Sequence, residues 1–151
     1  LVDVREDILA RLLEVVAAIP NLRSSHRSNV DINETQLPAV VVLDGDEETN
    51  DSTDLSMRPA NRPTIVQLTP GIMIVDQGEL VGSALSVLRS ELIKRVLTDT
   101  ELNEQIVKTG RFGNGAIRYL GCQTDLGWAR ELHGALAMQF LFKYALRPEQ
   151  L

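Results

Sequence analysis

A chain of 151 residues with 44% apolar content and a formal net charge of -6 has the size of one domain with its own core. At that length folding buries roughly 70% of the unfolded surface. The acidic balance excludes a surface built to grip phosphates, which needs clustered Lys and Arg. It leaves room for a wall that nucleic acid passes without sticking. The single cysteine, Cys122, excludes an internal disulfide and a cysteine-rich metal site, and fits a reducing compartment. No stretch approaches the ~20 apolar residues of a membrane span. The opening LVDVREDIL carries acidic residues where a signal peptide carries basic ones.

In chain order, Asp3–Ala18 is expected to be a helix. Asp3 is a suitable N-cap, with Glu6 three residues on in capping-box spacing. Ile8, Leu9, Leu12, Val15, Val16 and Ile19 recur on one face, and Pro20 ends the pattern. Leu22–Val30 alternates weakly and predicts a strand; Asn29–Gln36 is a polar connection. Leu37–Glu48, LPAVVVLDGDEE, is the most pronounced stretch. Its valine-rich run Ala39–Leu43 predicts a strand buried on both faces. An acidic turn is expected at Asp44, Gly45 and Asp46. It opens a charged loop, Gly45–Arg62, longer than most connections in a compact domain.

Pro63–Asp76 predicts a long strand, with Pro70-Gly71 marking a bulge or an edge bend. Leu80–Leu97 predicts the second helix from the stripe Val81, Leu85, Leu88, Leu92 and Val96. Thr98 is expected to open a short helix over Thr100–Lys108, with Glu101 three residues on. Gly110, Gly113 and Gly115 mark a turn. Ala116–Asp125 predicts a strand and Leu126–Arg130 its connection. Leu132–Leu146 alternates clearly, with Leu136, Met138, Phe140, Phe142 and Tyr144 on one face. Together these predict an α+β fold: an antiparallel or mixed sheet of about four to five strands, joined mostly by hairpins, with two main helices on one face.

Chemical signatures are sparse. Cys122, Asp125 and His133 contain the residue types of an activated thiolate, but a strand cysteine beside a surface histidine is the stronger reading. His26 and His133 lack metal-ligand spacing. DGDEETNDSTD lacks the central glycine and terminal glutamate of an EF-hand loop. The glycine string follows a helix and precedes a strand, the reverse of a phosphate loop. No catalytic residue, cofactor or metal is therefore expected. The candidate surface for assembly is the acidic segment and its basic flank: Asp44, Asp46, Glu47, Glu48, Asp51, Asp54, Arg58 and Arg62. Trp128 and Arg130 join it, Trp128 being either a core plug or an interface anchor.

A helix ending in Ile-Pro, then LPAVVV with a DGDE turn, a long strand, an amphipathic helix, and a strand pair closing on Met138–Tyr144 resemble the tail terminator proteins of long-tailed bacteriophages, the family of minor tail protein U. The resemblance spans nearly the whole chain as a pattern. It implies a mixed α/β subunit of a homohexameric ring without catalytic residues. Such a ring caps the tail tube, stops its polymerisation and offers the surface that joins the head. The implied partners are other copies of the chain, the tail tube protein and the head-tail connector protein. DNA would pass through the lumen without sequence-specific binding, and no membrane is involved. The implied location is the virion neck, after assembly in the host cytoplasm. On this reading, strand edges such as Pro63–Asp76 pair between subunits, and Gly45–Arg62 orders only against a neighbour. The alternatives are another neck component (a head-tail joining or tail completion protein) and a small enzyme using Cys122, Asp125 and His133.

Overall fold

The computed structural model describes residues 3–28, 31–49, 64–110, 116–126 and 133–146. Helix α1, Val4–Ala17, starts where Asp3 turns its carboxylate back to accept from the Arg5 amide at 3.0 Å, which satisfies one of the orphan donors of the first turn. Glu6 does not complete a capping box. Its carboxylate reaches across to Arg27 instead, because a guanidinium offers two charged donors where the cap offers one neutral amide.

Strand β1, Ser24–Arg27, is shorter than its alternation predicts. A single 3-10 turn, Glu34–Gln36, leads into β2, Ala39–Thr49. Strand β3, Thr64–Gln77, buries every second residue from Val66 to Ile74. The second helix, α2 (Val81–Thr98), buries the five residues of its predicted stripe, Val81, Leu85, Leu88, Leu92 and Val96. The cap of α3, Thr100–Val107, is Asp99 rather than Thr98. The Asp99 carboxylate accepts from the Leu102 amide, while the Thr98 hydroxyl is spent on the Lys94 carbonyl. Arg11 of α1 holds Asp99 from the other side at 2.8 Å. Strands β4, Ile117–Leu126, and β5, His133–Leu146, complete the chain.

The five strands lie in the order β1-β2-β3-β5-β4. Strand β1 runs parallel to β2, and every other pair is antiparallel. The chain therefore crosses over between β1 and β2 and, through α2 and α3, between β3 and β4. Only β2–β3 and β4–β5 are antiparallel sequence neighbours, so hairpin-type links are fewer than expected.

One apolar cluster joins all three helices to one face of the sheet. Val40 and Val42, Val66, Leu68, Ile72 and Ile74, and Leu136 to Tyr144 at alternate positions supply the sheet side. Each large side chain buried there contributes roughly 1.5–3 kcal/mol. Thr109 fastens the end of α3 to the sheet: its hydroxyl donates to the Ile106 carbonyl and accepts from the Ala145 amide. Ala39 and Val41 are buried on the opposite face, as the two-sided burial of that run predicts.

Candidate assembly surface

The acidic half of Leu37–Glu48 is strand, not turn and loop. Strand β2 continues past Leu43, and Asp46, Glu47, Glu48 and Thr49 pair with Thr69, Leu68, Gln67 and Val66. The break is a β-bulge in which Asp44 and Gly45 together oppose Pro70, which has no amide to donate. Gly45 has φ +74°, and a Cβ built on it would lie 1.9 Å from the Thr69 carbonyl oxygen. The glycine that looks like a turn residue is there because two backbones touch. Pro70-Gly71 does mark a bulge, as expected, but not an edge. Strand β3 lies between β2 and β5 along nearly its whole length, so it offers no margin to a neighbour.

The acidic side chains divide by strand parity. Asp44 accepts two hydrogen bonds from Arg27, at 2.9 and 3.2 Å, and Arg5 stands 4.0 Å away. Arg27 also grips Glu6 in a two-point contact, at 2.5 and 2.9 Å. Bidentate carboxylate recognition of this kind is geometrically specific. Here it staples the bulge to β1 and α1. Glu47 faces the helices and accepts from the hydroxyl of fully buried Tyr144. Burial, and then that carboxylate, hold the Tyr144 hydroxyl well above its ordinary value of 10.0. Asp44 and Glu47 are therefore used inside the subunit. Glu47 is nevertheless exposed, as are Asp46 and Glu48, which point to the opposite face of the sheet.

Hydrogen bonds from Arg27 lower the pKa values of both Glu6 and Asp44, and Arg11 lowers that of Asp99. Groups depressed in the folded state bind more protons when unfolded. Their stabilisation is present above the ordinary values of 4.5 and 3.8 and lost as pH falls through and below them. The side chains are part-exposed and screened, so the expected loss is about 1–2 kcal/mol in all. Urea midpoints across the acid range measure it, and Arg27→Met should flatten the dependence. An unchanged slope in that variant would show that the staple carries none of it.

The sheet face away from the helices carries a second feature. Leu43, Gly71, Met73, Gly121, Gln123, Ala137 and Gln139 border a shallow depression of about 460 Å³. It forms because two glycines and an alanine leave the middle of the face low. Charge lies beyond both ends of it: Asp125 of β4 is exposed at one end, and at the other the charges are segregated by strand. Glu48, Gln67 and Lys143 stand side by side across β2, β3 and β5. On the adjacent rows Asp46 pairs with Thr69 and Arg118 with Leu141. The β2 side is acidic and the β4–β5 side basic. Sequence reading passed over Arg118. Its signal was the alternation of Ile117, Arg118 and Tyr119 on a strand whose neighbours pack into the core.

Both sheet margins are open among the described residues. Strand β1 covers only Ala39–Val42 of β2, leaving Leu43–Thr49 without an outer partner. Strand β4 has β5 on one side alone. A row of unpaired backbone donors and acceptors of this kind is a template for another strand.

The remaining site residues fall elsewhere. Cys122 lies opposite Met138 on the helix side of β4, and Asp125 opposite Ala135 on the other face. The sheet lies between them, so the Cys-Asp part of the thiolate arrangement does not assemble. Exposed Cys122 instead neighbours Tyr119 and Arg89. Its thiol is drawn below its ordinary value by hydrogen bonding to Tyr119 and by the Arg89 charge. Arg89 donates to the Tyr119 hydroxyl at 3.3 Å and lies over its ring. Asp51, Asp54, Arg58, Arg62, Trp128 and Arg130 lie outside the described residues, as does the 50–62 part of the expected loop. Compared with models of protein families and with individually characterised proteins, the chain matches none.

Proposed function

We propose that this chain is the subunit of a tail terminator ring, which caps a phage tail tube, stops its polymerisation and presents the surface that joins the head. The observation that carries the reading is a two-layer subunit whose sheet, among the described residues, has two open margins and, on the face away from the helices, an uncovered middle around Gly71, Ala137 and Gln139. A surface of that kind suits a subunit of an assembly better than a solitary protein. The order of elements, with LPAVVV on β2 and the aromatic run on β5, supports it through the resemblance described above. The ring's partners on this reading are its own copies, the tail tube protein and the connector protein, and DNA traverses the lumen. Its chemistry is that of contact, with no reaction assigned to it.

Electron microscopy of the purified chain, alone and with tail tubes, tests the proposal. A ring at the tube end is expected, and particles made without the chain should carry overlong or ragged tails. Normal tail lengths in its absence would overturn the reading. A ring bound at the connector with tails of normal length would reassign it to head-tail joining or tail completion.

A further inference from the structure

The ring reading says nothing about which surfaces of neighbouring subunits meet. We infer that the β4 margin of one copy pairs with the Asp46–Thr49 margin of β2 in the next, continuing the sheet from subunit to subunit. The inference rests on the ring reading and assigns its interface.

Three observations carry it. Among the described residues the two margins are the open ones: β1 stops at the partner of Val42, and β4 ends the sheet. Their directions match. Strand β2 is antiparallel to β3, β3 to β5 and β5 to β4, so β2 of one copy set beside β4 of another continues the alternation. Their charges are complementary. Asp46 and Glu48 are exposed on the β2 side, and Arg118 is exposed on β4 with Lys143 next to it on β5, all on the same sheet face.

Opposite charges directly across paired strands stabilise the pairing and like charges oppose it. Pairing β2 with β2 through Asp46–Thr49, or β4 with β4 through Ile117–Tyr119, would oppose like charges, so for these segments the arrangement selects the head-to-tail contact; Asp125, exposed farther along β4 on the same face, lies outside the paired segment. Such a contact is heterologous. It closes into a ring when the rotation between copies divides a full turn, and gives a filament when it does not. The small bulge at exposed Leu120 and Gly121 interrupts β4. It leaves Ile117–Tyr119 as a short regular segment, comparable in length to Asp46–Thr49.

Charge reversal on the full chain tests the interface, read by sedimentation and electron microscopy. Circular dichroism would confirm that each variant is folded. Arg118→Glu alone and Asp46→Arg with Glu48→Arg should each weaken association by about tenfold or more. The three changes together should restore it. Oligomers that form equally well in every variant, or that the combined variant fails to recover, would overturn the interface and leave the ring reading standing. A chain that stays monomeric at about 100 µM, where even a weak contact is populated, and on tail tubes would overturn the ring and the interface with it.

Discussion

Replacing Gly45 with alanine is expected to cost the subunit about 3 kcal/mol, since left-handed backbone and a backbone clash act at one site. The residue adopts φ +74°, and the added methyl would meet the Thr69 carbonyl oxygen and the Pro70 Cα. Neither atom is the end of a flexible side chain, so relief requires β2 and β3 to separate. Gly121 supplies the control. Its φ of +132° is also strained for alanine, but nothing lies within 4 Å of a Cβ there. Gly121→Ala should cost about 1–2 kcal/mol from conformation alone. Urea unfolding of the two variants separates the terms. Equal losses would mean that the close approach at the bulge contributes nothing. The bulge also aims Asp46 and Glu48 at the open face, so partial recovery of stability need not recover assembly.

Truncating Phe140 to alanine is expected to remove about 3–5 kcal/mol, the range for a large aromatic side chain lost from a packed core. Phe140 is 0% exposed and lies 5.5 Å from the Tyr119 ring at a tilt of 53°. That contact anchors the outermost strand, because Tyr119, with Ile117, packs β4 against the core. Arg89 of α2 then covers Tyr119 from the helix side. Losing Phe140 should therefore loosen β4 more than β3. Amide hydrogen exchange resolves this: β4 amides should exchange through local opening while β3 amides still report global unfolding. Uniform acceleration across both strands would show that the aromatic pair does not tether the margin.

The helical stripes were legible because they depend on local spacing. Val81, Leu85, Leu88, Leu92 and Val96 fall on one face of any regular helix, and all five are buried. The last strand was legible for the same reason at period two. Capping was legible only to within a residue: Thr98 and Asp99 both have suitable oxygens, and Asp99 is chosen because Arg11, far away in sequence, fixes its carboxylate. The acidic stretch misled more deeply. Asp44, Asp46, Glu47 and Glu48 look equivalent as a charged run after a strand. Their roles differ because strand parity, a one-residue bulge and the distant partners Arg27 and Tyr144 sort them.

The α+β class, the faces of α1, α2 and β5, and the anchoring of Ala39–Val42 in the sheet can be read from the residues of each segment alone. These follow from apolar periodicity, which each element carries within itself. That β3 is central and β4 marginal emerges only when the strands pack together. Strand order depends on crossovers between distant segments, and both β3 and β4 alternate in much the same way. The same packing decides which acids bind within the subunit and which face outward, since the pairing partner of a carboxylate is set by packing rather than by its neighbours in the chain.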